Sequence, residues 1–449
     1  MTWNTLSSAM AIGAAAMSVS SAHAQDVRLM TLDPGHFHAA LVQKSMIPGV
    51  DPKVHVYAAE GADLKLHMAR IDGFNTRAEA PTTWQTEVHV SDDPLSAMLK
   101  EKPGNVVVLA GNNALKTERI LASVKAGLNV LADKPMAINP QDLELLREAF
   151  AEAQKKGVLL YDIMTERHEV TIELQRELSR MPELYGTQMP GTPEQPAVTK
   201  ESVHHLFKYV SGKPLQRPDW FFDETIQGEG LCDVGTHLVD LIQWECFPEQ
   251  ILKTSDVEVL SARKWPTLIS EDQFKKATAL QGFTPALRAK LNAEGQLPYI
   301  CNGEMIYTLK GVHCKVSVIW NFEAPQGAAD THYSLMQGSK CALILRQGAG
   351  QGYKPTLYIE PCAGEKLGAA VTDAVARLQA KWPGVKAKAT DKGWVLEVPD
   401  HYKVGHEAHF AQVAEAYFGY LKAGKLPEWE VPNILVKHHT LMEAYRKSR

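Results

Sequence analysis

The stretch Asn129-Val-Leu-Ala-Asp-Lys-Pro-Met-Ala137 decides how the first part of this chain folds. Its apolar residues 130–132 are typical of a parallel strand that is covered on both faces. Proline cannot continue a strand ladder and restricts the residue before it, so the strand is predicted to stop at Lys134. Ligands of open α/β sheets bind at the carboxyl edge, which favours a ligand site at Lys134. A solvated lysine that caps the strand is the alternative.

Strand-like and helical patterns alternate on both sides of this stretch. Short apolar runs predict strands at 27–32, 54–58, 106–110 and 158–161. Periodic patterns predict helices at 37–44, 115–126 and 141–156. Alternating strands and helices with short connections predict a doubly wound parallel sheet of the Rossmann type, which we place at residues 25–165.

Residues 166–449 show a different pattern. Consecutive strand-like runs at 305–320 and 334–345 read as two hairpins and favour an antiparallel sheet. Mostly helical insertions are predicted near 262–300 and 364–392. The predicted fold class is therefore α/β, with an N-terminal Rossmann domain and a second α/β domain.

Length and composition narrow the class of protein. The chain has 449 residues, 45% of them hydrophobic and 22% charged, as expected for two globular domains. A net charge of -5 gives no reason to expect a nucleic-acid partner. No apolar run after the first 25 residues is long enough for a membrane span. The six cysteines include no C-x-x-C pair, which argues against a zinc knuckle.

The first 24 residues are predicted to be a secretory signal peptide. The segment is small and mostly apolar, and Ala22-His23-Ala24 has the form of a cleavage site before Gln25. There is no Lys or Arg before Arg28, so the usual positive start is missing. The sequence predicts a periplasmic or otherwise exported protein, with a cytosolic chain bearing an Ala/Ser-rich leader as the alternative.

A second motif follows the glycines Gly228 and Gly230. Asp233 and His237 are four positions apart, so a continuous helix would project both from one face. A carboxylate at that distance can orient an imidazole and raise its basicity, which predicts an acid/base pair. A capping Asp beside an unrelated core His is the alternative.

The two motifs together resemble the Gfo/Idh/MocA oxidoreductase family. The family's Glu-Lys-Pro reads Asp133-Lys134-Pro135 here, and its Gly-Gly-Gly…Asp-x-Gly-x-His segment reads as residues 228–237. The resemblance implies a Rossmann domain followed by a substrate and oligomerisation domain at residues 166–449. This α/β domain would have a large, open, mostly antiparallel sheet that serves as a homo-oligomer interface. It also implies catalytic roles for Lys134, Asp233 and His237, a carbohydrate substrate and a cis peptide before Pro135.

The cofactor implied by the resemblance is NAD or NADP, tightly held because the periplasm has no large pool of free NAD. The residues predicted to bind it are Gly35, His36, His38, Glu60, Asn112, Asp133 and Lys134. Glu60 is placed to hold a ribose hydroxyl, which favours NAD. The loop at residues 33–38 departs from Gly-x-Gly-x-x-Gly, since only its middle glycine, Gly35, is present.

No metal site is predicted. The pair His36-x-His38 supplies only two ligands, and His204 and His205 point to opposite faces of a strand. Tyr161 and Arg167 are predicted either to line the cleft or to belong to a solvated interdomain segment.

The leading functional prediction is an exported NAD(P)-dependent oxidoreductase of a sugar or sugar derivative. Lys134 and His237 would move the hydroxyl proton while nicotinamide takes the hydride. One alternative is a redox-neutral glycosidase or a keto-glycoside lyase or hydratase on the same fold. The other is a non-catalytic carbohydrate-binding protein.

Overall fold

The computed structural model describes residues 27–210 and 213–449, so the predicted signal peptide lies outside the described residues. The first sheet has six strands: β1 (Leu29–Leu32), β2 (Lys53–Ala58), β3 (Gln85–Val90), β4 (Val106–Leu109), β5 (Asn129–Asp133) and β6 (Leu160–Ile163). The helices between them are α1 (His38–Leu41), α2 (Ala62–Thr76), α3 (Pro94–Glu101), α4 (Asn113–Lys125) and α5 (Pro140–Lys156). All neighbouring strands are parallel in the order β3-β2-β1-β4-β5-β6. The predicted Rossmann topology is confirmed.

Local chemistry explains why these elements begin and end where they do. All four residues of β4 are buried, as expected for a valine-rich strand with helices on both faces. The side chain of Asn139 caps α5, Pro140 occupies its first turn, and Gly157 ends it with φ of 65°. The sequence did not reveal β3, because it is an edge strand whose Val90 is 59% exposed.

The second sheet has nine strands. They are β7 (Val198–Phe207), β10 (Val257–Ile269), β11 (Leu297–Leu309), β12 (Val312–Glu323), β13 (Thr331–Gln337), β14 (Cys341–Gln347), β15 (Thr356–Pro361), β16 (Lys386–Thr390) and β17 (Gly393–Glu397), with the small hairpin β8 (Tyr209–Val210) and β9 (Lys213–Pro214) beside them. The helices are α6 (Val170–Ser179), α7 (Glu224–Gln227), α8 (Gly230–Asp233), α9 (Gly235–Cys246), α10 (Glu271–Thr278), α11 (Pro285–Arg288), α12 (Gly368–Leu378), α13 (His406–Ala423) and α14 (Glu430–Lys447). Among the described strand pairs of this sheet, only β7 and β12 are parallel, so the predicted mostly antiparallel sheet is confirmed.

The predicted helical insertions differ from the structure. Residues 262–269 and 297–300 are strand, because they belong to β10 and β11, which pair with each other. Helices in that segment are confined to α10 and α11. In the segment 364–392, α12 is followed by the edge strand β16. β10 and β11 are separated by 27 residues, so local periodicity does not report their pairing.

The end of the chain returns to the first domain. Phe410, Val413 and Tyr417 of α13 are buried in the core around the parallel sheet. Leu441 and Met442 of α14 pack instead in the core beneath the nine-stranded sheet. The predicted second domain, 166–449, therefore contributes its last two helices to the junction of both cores. Over the described parts of the chain, no helix combines the length and apolar character needed to cross a bilayer.

Candidate active site

The ends of β5 and α8 meet at the carboxyl edge of the parallel sheet. Lys134 follows β5, and its peptide bond to Pro135 is cis. The Nζ of Lys134 donates to the Oδ1 of Asp233 at 2.5 Å, and the side chains are only 11% and 7% exposed. The ion pair thus joins the two predicted motifs. Because little water reaches these two side chains, each charge is stabilised mainly by the other.

His237 lies in the first turn of α9, close to this pair. Burial, followed by the charges of Lys134 and His406, holds its pKa well below the usual range, so the imidazole is neutral near pH 7. Its Nδ1 is buried and has no hydrogen-bond partner. A neutral imidazole with an unused nitrogen is able to accept a proton.

The predicted orientation of His237 by Asp233 is wrong. The prediction assumed one continuous helix, but α8 ends at Asp233 and α9 begins at Gly235. Within residues 27–210 and 213–449, the Asp233 carboxylate pairs with Lys134 and forms no ion pair with His237. Asp233 therefore positions Lys134 rather than raising the basicity of the imidazole.

Side chains of α4 form hydrogen bonds to the backbone of the turn that carries Lys134. The buried Nζ of Lys116 donates to the backbone oxygens of Asp133 at 3.0 Å and Pro135 at 3.2 Å. Thr117 adds a hydrogen bond to the oxygen of Met136 at 2.5 Å. Burial lowers the pKa of Lys116 to about 8. The sequence did not single out Lys116, since a lysine within a helical pattern suggests an exposed position.

A buried ionic network lies one turn beyond His237. Arg167 makes two hydrogen bonds to Asp240, at 2.6 and 2.8 Å, and one to Glu430 at 2.8 Å. Lys437 donates to Asp162 at 2.5 Å and to Asp240 at 2.9 Å. These bonds connect β6, α9 and α14, so Asp240 has a structural role.

Tyr161 and Arg167 do not meet Lys134. They border a separate cavity of about 170 Å³, whose walls also include Trp244, Tyr420 and Trp429. Neither Lys134 nor His237 lines this cavity. Tyr161 and Arg167 are both buried, so the alternative of a solvated interdomain segment is wrong.

The loop after β1 is closely packed. The amide of Gly35 donates to the oxygen of Asp33 at 2.9 Å, and that of His36 donates to the oxygen of Ala110 at 3.0 Å. Asp33 is paired with Arg119, so its charge is balanced. The amides that would face a pyrophosphate in an open glycine loop are therefore already in use.

Two side chains from elsewhere cover this loop. A methyl group at Gly35 would lie 3.1 Å from the Oδ2 of Asp63 and 3.2 Å from the Cζ2 of Trp220. Trp220 donates its Nε1 hydrogen to the same Asp63 oxygen at 3.1 Å. The space left between the loop and residues 215–218 is about 20 Å³, which holds roughly one water molecule.

The two histidines of the loop approach Asp133. The Nδ1 of His38 lies 2.9 Å from the Oδ2 of Asp133, and the Nδ1 of His36 lies 3.8 Å from it. The other oxygen of Asp133, Oδ1, is buried without a hydrogen-bond partner. The ring of His406 lies 5.8 Å from that of His38.

Two family models and a solved structure match this chain. Residues 174–449 match the family described as "Putative oxidoreductase C terminal domain". Residues 55–161 match the family described as "Oxidoreductase family, NAD-binding Rossmann fold" (GFO_IDH_MocA). A solved structure of a "putative oxidoreductase" from Parabacteroides merdae is 52% identical, with a TM-score of 0.92, and the match covers 94% of this chain and 98% of that one.

This chain belongs to the Gfo/Idh/MocA oxidoreductase family.

A curated protein and a second solved structure are similar to this chain at lower sequence identity. The D-glucoside 3-dehydrogenase of Escherichia coli K12 is 29% identical over 199 residues, which is 42% of this chain and about half (49%) of that protein. A 3-ketoreductase from Actinomadura kijaniata, solved with NADP, is 15% identical with a TM-score of 0.56 over 94% of this chain and 97% of that one. At that identity the similarity shows the fold alone.

Some of the residues predicted to bind NAD(P) are placed where the cofactor would need them, and others are not. Glu60 is exposed directly after β2, where an adenosine ribose would lie, and Asp133 and Lys134 end β5 at the nicotinamide side. Asn112 serves as the N-cap of α4 and accepts from the amide of Ala114 at 2.9 Å. The loop around Gly35 does not fit a pyrophosphate in this conformation, because Trp220 fills the approach to it. The family match itself begins at residue 55, after this loop.

Proposed function

We propose that this protein is an NAD(P)-dependent oxidoreductase of a sugar or sugar derivative. The observation that carries the proposal is the Lys134–Asp233 ion pair, which stands beside a neutral His237 at the carboxyl edge of a Rossmann sheet. Family membership supports it, as does the similarity to D-glucoside 3-dehydrogenase over part of the chain.

The proposed chemistry divides the work between the two side chains. NAD(P)+, when bound, supplies the acceptor for the hydride that leaves the sugar carbon. The neutral imidazole of His237 accepts the hydroxyl proton as the oxygen becomes a carbonyl. The ammonium group of Lys134, oriented by Asp233, stabilises the negative charge that develops on that oxygen. Loss of either group removes a contact to the reacting atoms.

Formation of NADH or NADPH from sugars and glycosides, followed at the nicotinamide absorbance band, tests the proposal. We expect Lys134→Met and His237→Asn to lower kcat by about 10²–10⁴-fold. Lys264→Met is the matched control. Lys264 on β10 forms a similar ion pair, at 2.6 Å, with Glu229, the residue that precedes α8. Wild-type turnover that persists in both site variants would rule out the assigned roles.

A tightly held cofactor and export belong to the same proposal. An exported enzyme without access to a nucleotide pool needs a cofactor that stays bound between turnovers. Mass spectrometry of the denatured protein should then reveal NAD or NADP, and the mature chain purified from the periplasm should begin at Gln25. A purified protein that carries no nucleotide and binds none on titration would contradict the oxidoreductase proposal.

Assembly through the open face of the nine-stranded sheet is also proposed. Ile306 and Thr308 of β11 alternate with buried residues and are only half-buried on the face away from the core. Light scattering on the purified protein measures the oligomer size, and Ile306→Glu should lower it if this face is the interface.

A second candidate is a redox-neutral lyase or hydratase acting on keto-glycosides. The specific observation in its favour is the packed loop at Gly35, which Trp220 and Asp63 cover. The products discriminate between the two functions. Release of an aglycone from a keto-glycoside without any change in nicotinamide absorbance would favour this candidate.

A further inference from the structure

A cluster of metal-type ligands lies where the glycine loop meets β5. The ligand atoms of His36, His38 and Asp133 all lie within 4.8 Å of one another. Two ligands bound to one ion at about 2.1 Å lie up to roughly 4 Å apart, so small side-chain rotations would bring the three onto a common ion. We propose that His36, His38 and Asp133 bind one divalent first-row transition-metal ion.

The hydrogen bonds of the cluster leave its carboxylate incompletely satisfied. The Nδ1 atoms of both imidazoles lie near the same oxygen of Asp133. That of His36, at 3.8 Å, is too distant for a hydrogen bond to this oxygen and accepts instead from the amide of His38 at 3.4 Å. The other oxygen is buried without a partner, although the Asp133 side chain is only 5% exposed. An unsatisfied buried carboxylate oxygen is costly and calls for an explanation. A cation between the three side chains provides one.

The ligand chemistry indicates the class of ion. Two imidazole nitrogens with one carboxylate oxygen suit Zn²⁺, Fe²⁺, Co²⁺ or Ni²⁺, whereas Mg²⁺ and Ca²⁺ prefer sets of oxygen ligands. Three protein ligands leave at least one coordination position open. The His36 side chain is 15% exposed, so the open position suits a small oxygen ligand such as water or a hydroxyl group.

The two lysines near the cluster, Lys134 and Lys116, have partners of their own, which reduces their repulsion of a bound cation. The charge of Lys134 is balanced by Asp233 at 2.5 Å. Lys116 donates to the backbone oxygen of Asp133 and to the side chain of Asn113, and it leaves the carboxylate oxygens to the cluster. The ion would therefore meet a free carboxylate lone pair rather than one already shared with a lysine.

Metal titration of the protein tests this proposal independently of any enzymatic activity. The full chain is stripped with a chelator and titrated calorimetrically with Zn²⁺, and Co²⁺ is added separately to record its ligand-field spectrum. We expect one ion per chain, a visible Co²⁺ band of low coordination number, and a higher melting temperature with metal than without. His36→Gln should weaken binding by at least about tenfold while leaving the metal-free melting curve unchanged.

A second histidine cluster supplies the matched control. His55, Glu87 and His89 lie together on the neighbouring strands β2 and β3, and Glu87 is already paired with Lys53 at 2.6 Å. We expect the double variant His55→Gln/His89→Gln to retain full Zn²⁺ binding. The proposal is overturned if the wild type binds no Zn²⁺ or Co²⁺, or if His36→Gln and Asp133→Asn both bind as tightly as the wild type. A protein that binds metal yet turns over no sugar would separate this result from the oxidoreductase proposal.

Discussion

The Nζ of Lys134 and the Oδ1 of Asp233 are 2.5 Å apart, although 99 positions separate the two residues in the chain. The contact bridges the end of β5 and the end of α8, and it is nearly enclosed by protein. Breaking a buried pair leaves one charge without compensation, whereas removing both partners does not.

We therefore predict that the stability effects of changes in this pair are not additive. Lys134→Met and Asp233→Asn should each lower the free energy of unfolding, and the double variant should lose less than the sum of the two. The coupling should amount to about 1–3 kcal/mol, measured by urea denaturation of all four proteins. Additive losses would show that the two side chains do not interact in solution.

The buried network around Asp240 should contribute strongly to stability. Lys437 is fully buried and neutralises Asp162 and Asp240, so Lys437→Met should cost about 3–5 kcal/mol of the free energy of unfolding. Lys381→Met is the control, because Lys381 is 63% exposed and its pair with Glu173 should be worth at most about 1 kcal/mol. Equal losses in the two variants would mean that the network is not buried in solution.

Replacing His67 should make the free energy of unfolding less sensitive to acid. Burial, assisted by Arg70, lowers the pKa of His67 to about 4, and neither ring nitrogen has a hydrogen-bond partner. Since the unfolded chain binds this proton near pH 6.5 and the folded protein only near pH 4, stability is lost as the pH falls through that window. The contribution of His67 is at most about 3 kcal/mol at the acid end.

Replacement of His67 by Leu should remove that part of the pH dependence. The difference in unfolding free energy between the variant and the wild type should grow in favour of the variant from pH 7 to pH 4.5, as followed by thermal melting. His401→Leu, at an exposed position, is the control. Parallel pH profiles for wild type and His67→Leu would contradict the prediction.

Trp220 should oppose dinucleotide binding. Its ring fills the approach to Gly35, so a cofactor that uses this loop must first displace it. Trp220→Ala should bind NAD+ more tightly than the wild type in calorimetric titrations, and Trp265→Ala, on β10, should bind as the wild type does. Weaker binding by Trp220→Ala would show instead that the ring contacts the dinucleotide.

Much of the architecture was predictable because it depends on local patterns. Apolar runs such as 106–110 and the capped helix at 141–156 predicted the parallel sheet, and Pro135 placed Lys134 at its carboxyl edge. The edge strand β3 and the pairing of β10 with β11 were missed, since exposed strands lack a buried face and sheet partners distant in sequence leave no local signal.

The sequence by itself determined the fold class, the position of Lys134 at the sheet edge and the presence of two histidines after β1. Only the tertiary structure decided which groups meet: Asp233 with Lys134 rather than His237, Trp220 over Gly35, and Asp133 with His38 across 95 positions. Sequence periodicity reports neighbours one helical turn or two strand positions away. Contacts between segments this far apart depend on how the two cores pack around their shared interface.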